Sequence, residues 1–421
     1  MFYKGGNFVK KKKIFAVVTV VLAIVVIGLF LMFFKANNIA DNITQTKEYE
    51  TVQIVCLKDS PIQPEDDFSG YNIGYINGDR HSYDTMTEIL GENNKKVRKS
   101  RTYQSSKGLY ENFLSGYTEM MLLTNDVKSD LFEIDESYTD KIRVLFSKDY
   151  ELGTVETKAV DIATEPFTLY LCGADLSSGD SITSAGRGDV NILLTVNPNT
   201  KKVNMQVIPR DTFVNIPCRG GRSKLSYSGW WGGVQSSIDS IEDKFDVDIN
   251  YYAKLNFAGL TDLVDALGGV TVYSHYTYDA GSCNFVKGEN FVDGEKALSF
   301  ARARKMLPEN ERSRGYQQME LIKGIFRKFA EDPTYDKAIA VIDSLSNNFT
   351  TNLPKEDFKK AFDLVVDILP QLQTMENHSV FGEYKWHYDE VRPTYYQYYF
   401  YPYEDQYELV KGRIDAVLEG K

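Results

Sequence analysis

The chain has 421 residues, 43% of them apolar and 25% charged, with a net charge of −11. That length fits about two to three domains, and the balance excludes a disordered or low-complexity protein. Six of the 48 basic residues and none of the 59 acidic ones lie in residues 1–35, which leaves the remainder at −17; so acidic a surface is a poor general binder of nucleic acid, and no such partner is expected.

The first element in chain order is an apolar run. Ile14 to Phe34 reads IFAVVTVVLAIVVIGLFLMFF, without a charge, and at about 1.5 Å per residue it reaches roughly 30 Å, the thickness of a bilayer's hydrocarbon core. Lys10 to Lys13 precede it, and basic flanks stay on the cytoplasmic side. The pattern predicts a cytoplasmic tail over 1–13 and a single transmembrane signal-anchor over 14–34, with everything after it extracellular. A cleaved signal peptide is the alternative, but its apolar region is shorter and ends in small residues. Residues 35–50 are polar and read as a linker.

From Thr51 the period changes. Strand candidates lie at 51–57, 71–76, 97–103, 119–124 and 142–147, with helical segments near 83–91, 106–115 and 125–133. Alternation at this spacing predicts a small α/β domain over 51–158 with a largely parallel sheet. A second unit, 159–421, carries strands at 167–172, 190–196 and 203–208, the last two joined by the turn-forming NPNTKK. A helix near 234–244, a strand 251–257, a helix 258–267 stopped by Gly268-Gly269, a strand 270–273 and helices near 294–304 and 313–330 follow. The remainder predicts helices near 335–346 and 355–372, then a tyrosine-rich stretch, YYQYYFYPY, at 395–403.

If strands 167–172, 190–196 and 203–208 form a meander, the loop 173–189 and the segment from Pro209 share one sheet edge. That edge then gathers Asp175, Arg187, Asp189, Arg210 and Asp211, and ligands of open α/β sheets bind beyond strand ends. Glycines 173, 186 and 188 permit close backbone approach there. A solvated loop with incidental ion pairs is the bland alternative for any one of these residues. A second cluster is Arg302 and Arg304, which can serve one site only if their helix ends between them, as Pro308 allows. Arg312, Arg314, Gln317 and Gln318 open the next helix, where a ladder with Glu309 and Glu311 is the competing reading, above all for Arg314. Arginine forks suit phosphate, and carboxylates beside them suit a phosphate-bound divalent cation. There is no G-x-S-x-G, H-E-x-x-H or Walker loop, and the four histidines have no metal spacing. Of the four cysteines, Cys56 and Cys172 lie in apolar runs, while Cys218 and Cys283 flank loop-like sequence and are the candidate disulfide pair.

LYLCGAD, GRGDVNILLTVNPNTKKVNMQVIPRDTFVNIP, SKLSYS, INYYAKLNFAGLTDLVDALGGVTVY, VDGEKALSFARAR and the Gln-Gln helix start, in that order, resemble the LytR-CpsA-Psr family over roughly 165–330 and more loosely to 421. The resemblance implies an α-β-α domain with a central mixed sheet and a hydrophobic tunnel for a polyprenyl chain. It implies phosphotransferase-type ligation of a polyprenyl-pyrophosphate-linked glycopolymer, such as teichoic acid or capsule, to peptidoglycan. It makes Asp175 and Asp189 ligands of Mg²⁺ or Mn²⁺. Arg187, Arg210, Arg302 and Arg304 become the pyrophosphate clamp, with Lys224, Arg312, Gln317 and Gln318 as further head-group contacts. Asp211 orients the clamp or assists deprotonation, and with Arg210 forms the catalytic pair. The sequence departs from the family pattern at Gly-Ala-Asp for Gly-Ser-Asp, at Arg-Gly-Asp for Arg-Ser-Asp, and at Tyr316. The 51–158 unit resembles the accessory domain of some members. Non-catalytic binding of lipid-linked glycans, a regulatory role, and release of the polymer by a pyrophosphatase are the rival functions.

Overall fold

The computed structural model describes residues 43–421 apart from 45, 77–79, 136, 177–179, 330, 332–343, 346 and 393–394. The expected anchor at 14–34 and most of the helix near 335–346 lie outside the described residues. Among the described residues no helix is long and apolar enough to cross a membrane.

The first sheet contains β1 (Lys47–Leu57), β2 (Asn72–Ile76), β3 (Lys99–Tyr103), β4 (Met120–Leu123) and β5 (Ile142–Thr154), in the order β3-β2-β4-β1-β5. Between these strands run α1 (Arg80–Glu92), α2 (Ser106–Leu114), α3 (Asn125–Ile134) and the single turn α4 (Tyr138–Lys141). β2 pairs parallel with β3 and β4, as alternation predicts, but β1 runs antiparallel to both β4 and β5. The largely parallel sheet is therefore corrected to a mixed one. The helices crossing after β2 and β3 enforce parallel pairing there; β1 has no such crossover to β4 or β5. The linker is corrected too. β1 begins at Lys47, and Ile43 is buried in the core of the second unit.

The second unit is built on six strands in the order β16-β11-β6-β7-β8-β17. β6 (Phe167–Asp175), β7 (Arg187–Asn197) and β8 (Lys202–Val207) form the antiparallel meander. β9 (Phe213–Ile216) and β10 (Gly221–Lys224) make a hairpin leading into α5 (Leu225–Phe245), which kinks at Gly232 and Gly233. β11 (Tyr251–Asn256) lies parallel to β6 and is followed by α6 (Phe257–Ala266). Two antiparallel pairs, β12 (Val270–Ser274) with β15 (Gly288–Val292) and, between them, β13 (Tyr278–Ala280) with β14 (Cys283–Phe285), lead to α7 (Gly294–Arg302) and α8 (Glu311–Phe329). β16 (Phe349–Thr351) edges the sheet, and α9 (Phe358–Thr374) is followed by β17 (His378–Ser379). The tyrosine-rich stretch is one arm of a hairpin, β18 (Gly382–Tyr388) with β19 (Tyr396–Pro402), before α10 (Glu404–Leu418).

Period-two alternation divides the central strands between two layers. Phe167, Leu169, Ile192, Leu194, Tyr251 and Ala253 face α6, α7, α8 and α9. Tyr170, Leu193 and Tyr252 face α5 and α10, where Trp230, Trp231, Ile238 and Ile414 pack. This is the three-layer α-β-α arrangement around a mixed sheet that the sequence implied.

The two units are joined by buried charge. Glu48 of β1 accepts from Lys254 Nζ of β11 at 2.6 Å, and both are buried. The Glu48 carboxylate also accepts from the Val234 N–H at the α5 kink. Gly233 has φ 65°, and a Cβ there would overlap this carboxylate. Tyr49 exchanges backbone hydrogen bonds with Thr183 and Ala185, at 2.9 and 2.7 Å. On α3, Asp130 accepts from Tyr395 Oη at 3.1 Å and faces Arg392 at 3.6 Å.

Candidate active site

Strand register brings Asp175, Arg187 and Asp189 to one edge of the meander, and the turn that follows β8 adds Arg210 and Asp211. β6 extends to Asp175 and β7 starts at Arg187, and the two are paired across the ladder. Gly173 is needed because a Cβ there would meet the Val190 side chain at 2.6 Å. Arg187 Nη2 donates to Asp175 Oδ2 at 2.6 Å, and its Nε lies 2.9 Å from Asp189 Oδ1. Arg210 Nη1 donates to the same Asp189 oxygen at 2.7 Å. Burial pushes the Asp189 carboxyl up, but the charges of Arg210 and Arg187 outweigh it and hold it well below the usual range. Asp175 is pushed the other way, by burial and then by the charge of Asp189.

Asp211 forms the next link. Its carboxylate is buried, 3.1 Å from Lys224 Nζ, and accepts from Arg304 Nη2 at 3.3 Å. Burial raises its carboxyl, and Lys224, Arg210 and Arg304 together bring it below the ordinary value. A carboxylate so stabilised in its ionised form orients cations and is a weak proton acceptor. Of the two roles left open for Asp211, the geometry favours orienting the clamp.

Helix α7 ends at Arg302, and Ala303 leaves helical geometry at φ −57°, ψ 124°. The expected break between Arg302 and Arg304 is present, and it sends the two side chains to neighbouring places. Arg302 stacks over the Phe257 ring at 4.8 Å. Arg304 pairs with Asp211 and with Glu311 on α8. Glu311 is buried and also pairs with Arg314.

Beneath this cluster is a cavity of about 300 Å³ between the sheet and helices α6 and α8. Its mouth is formed by Arg187, Asp189, Arg210, Arg302, Arg314 and Gln318. Its walls are apolar, with Leu171, Ile192 and Leu255 from the sheet, Leu260 from α6, and Ile322 and Ile325 from α8.

Three expected head-group contacts, Lys224, Arg312 and Gln317, and the expected clamp residue Arg304 do not line this cavity. Arg312 pairs with Glu309 and stacks on Phe381 at 4.6 Å. It points away because its position on α8 differs from that of Arg314 by two residues, which turns it to nearly the opposite side of the helix. Gln317 is buried as a strut, donating to the Phe300 carbonyl at 3.1 Å and accepting from Tyr278 Oη at 3.0 Å. Gln318 does line the mouth and donates to the Ala301 carbonyl at 3.3 Å. Lys224 reaches the cluster through Asp211. Reading the sequence placed Glu311 only in a helical ladder, with Arg314 as its foremost member; the i,i+3 pair is present, yet Glu311 also pairs with Arg304 and Arg314 also lines the mouth.

All four cysteines are free, so the expected Cys218–Cys283 disulfide is corrected. Cys218 lies in the β9–β10 turn with its sulfur 3.3 Å from Ser236 Oγ on α5. Cys283 opens β14 and sits 3.6 Å from Ser299 Oγ on α7.

Among the described residues no group of three or more His, Cys, Asp or Glu is placed to hold a metal ion. Asp175 and Asp189 nevertheless fit Mg²⁺, which is bound through one or two carboxylates together with substrate phosphates. Their mutual repulsion, which raises Asp175, is what a divalent cation relieves.

The LytR_cpsA_psr family model matches residues 133–411. The teichoic acid transferase TagU of Bacillus licheniformis, a polyisoprenyl-teichoic acid–peptidoglycan transferase, is 38% identical over 200 residues, which are 47% of this chain and 64% of that one. The Bacillus subtilis protein of the same name is 34% identical over 218 residues, 52% and 69% of the two chains. The match thus spans less than two thirds of the first of these relatives and slightly more than two thirds of the second. The crystal structure of protein gbs0355 from Streptococcus agalactiae aligns with a TM-score of 0.54 at 26% identity, covering 63% of this chain and 92% of that one.

Proposed function

The chain belongs to the LytR-CpsA-Psr family, and from that premise we propose that it transfers a polyprenyl-pyrophosphate-linked glycopolymer to peptidoglycan at the cell surface. The observation that carries this reading is the cavity itself: an apolar interior capped by Arg187, Arg210, Arg302 and Arg314. A polyprenyl chain fits the interior, and its diphosphate meets the guanidinium forks at the mouth. The TagU relatives are named for teichoic acid transfer to peptidoglycan, which supports the substrate class.

The acceptor hydroxyl attacks the phosphorus nearest the glycan. A new O–P bond forms, and the P–O bond to the prenyl phosphate breaks, so that polyprenyl phosphate leaves with the electron pair; the hydroxyl proton passes to water. Little covalent chemistry falls to the protein. Positioning and neutralising charge are its task. Arg187 and Arg210 are fixed by Asp189, and Arg304 and Lys224 by Asp211, so the donors are oriented before substrate arrives. Asp175 and Asp189 would hold Mg²⁺ or Mn²⁺, which supplies further charge neutralisation at the diphosphate. The run at 14–34 would anchor the chain so that the site works beside the lipid's own membrane, on its outer side.

The test is transfer of a synthetic lipid-pyrophosphate glycan to peptidoglycan in vitro, with and without chelator. Wild-type protein is expected to form the linked product and lose activity with chelator. Hydrolysis without linkage would replace ligation with pyrophosphatase action, and tight lipid binding without either product would make the protein a binder.

A further inference from the structure

The hairpin of β18 and β19 has a use that the clamp and cavity leave unexplained. Its register sets Tyr384 opposite Phe400, Trp386 opposite Tyr398 and Tyr388 opposite Tyr396. By period-two alternation these six side chains share one face, and every one is aromatic. The opposite face carries His387, Tyr399 and Tyr401, which pack on Phe213 of β9 with ring centroids 5.3, 4.9 and 5.3 Å away. One face is therefore the anchor; the other is buried at its inner end, where Phe400 is in the core and Tyr384 packs against it, and open to solvent at Trp386, Tyr388, Tyr396 and Tyr398.

This second face begins at the site. The Phe400 N–H donates to the Asp211 carbonyl at 2.8 Å, and Tyr384 packs on Phe400 at 5.2 Å. Tyr384 also lies near enough to Glu311 and Asp211 for both charges to act on its hydroxyl, after burial, in raising it well above the ordinary phenol. From there the face runs outward into solvent, and Trp386 is 59% exposed. Its rings lie in flat pairs: Tyr384 and Tyr398 are stacked with planes 7° apart, and Trp386 and Tyr396 with planes 23° apart. From Tyr384 to Tyr388 is four steps along the strand, and at roughly 3.3 Å each they make a track of about 13 Å.

We infer that this aromatic face is a saccharide-binding track that guides the peptidoglycan glycan strand to the mouth of the site. Flat, hydroxyl-bearing rings offer sugar C–H faces an apolar surface and sugar hydroxyls a hydrogen-bonding partner. The choice of the acceptor strand rests on the transfer reading above. In-line displacement at phosphorus puts the attacking and leaving oxygens on opposite sides. The prenyl phosphate leaves toward the cavity, so the acceptor approaches from the Asp211 and Arg304 side, where Tyr384 stands. A membrane is the other surface that tyrosine and tryptophan fit, but interfacial segments carry basic polar faces. On and beside this hairpin Lys385 and Arg222 are paired with Glu383 and Glu390, and Glu404 and Asp405 add negative charge, so no net basic face meets an anionic leaflet.

The full-length protein in detergent tests this directly. Trp230 and Trp231 are buried, 4% and 7% exposed, so Trp386 is the solvent-facing tryptophan. Soluble uncrosslinked peptidoglycan strands are expected to quench and shift its emission saturably, and Trp386→Phe should abolish that signal. The double variant Trp386→Ala and Tyr398→Ala, which leaves the anchoring face intact, should raise KM for the strands roughly tenfold, with kcat and lipid-pyrophosphate affinity unchanged. An unchanged acceptor KM in a folded double variant would overturn the inference. So would an emission shift with anionic lipid vesicles and none with strands. If wild-type protein shows the quenching but performs no transfer, the transferase reading fails while the saccharide track stands.

Discussion

Asp189 is held between two guanidinium groups, and that single placement decides how the site responds to substitution. On the proposed function, Arg210→Ala removes a charge-assisted donor from the diphosphate, so binding of polyprenyl pyrophosphate should weaken by about 1.5–3 kcal/mol, measured by isothermal titration calorimetry. Asp189 retains Arg187 in that variant, so the protein should remain folded. The cysteines give an independent check at this scale. Burial pushes the Cys172 thiol up to about 11, so it holds little thiolate at pH 8 and should resist alkylation. Cys218 is exposed and free, and should react readily; mass spectrometry of iodoacetamide-treated native protein reads both, and a Cys218–Cys283 disulfide would contradict the structure. Residue types at strand ends were legible in the sequence because charges there interrupt apolar runs. The split between Arg312 and Arg314 was not legible, because helix phase relative to the sheet depends on how α8 packs, which local spacing leaves open.

At the scale of elements, the meander was readable because three apolar runs joined by short turns admit few topologies. Registers and extensions were not: β6 and β7 each run into what reads as loop, since Gly173 and Gly188 weaken the strand signal where close approach requires them. The opening of β1 was hidden for a different reason. KEYE looks like a solvated linker, yet Glu48 is buried because Lys254, over two hundred residues later, neutralises it. Breaking a buried pair by removing one partner costs about 3–5 kcal/mol. Glu48→Ala should therefore destabilise the protein by that order in chemical denaturation. The same change removes the carboxylate from Lys254, which also donates to the Ser184 carbonyl at 2.7 Å just ahead of Arg187. A loss of stability below about 1 kcal/mol, the worth of a surface ion pair, would show that Glu48 and Lys254 do not act as a buried pair.

For the whole molecule, alternation of strands and helices reads as two units, and the structure holds a five-stranded and a six-stranded sheet, but the pattern could not show how β1 ties the two together. Ile43 in the second core and Tyr49 against Thr183 and Ala185 make the first unit a brace for the segment that delivers Arg187. A chain shortened to 160–421 should accordingly unfold at lower temperature than the full chain in differential scanning calorimetry, having lost Glu48 from Lys254. The resemblance implied an apolar tunnel, but the residues themselves hid it, because its lining follows the same periodicity as a filled core and only the packing of α6 and α8 against β6 and β11 leaves the space. That space is the centre of the account, and a crystal structure with a polyprenyl pyrophosphate and Mg²⁺ tests it most directly. The prenyl chain is expected between Leu171, Leu255 and Ile322, with the diphosphate against Arg187, Arg210 and Arg302. A lipid bound elsewhere on the protein, with this cavity closed or empty, would contradict it.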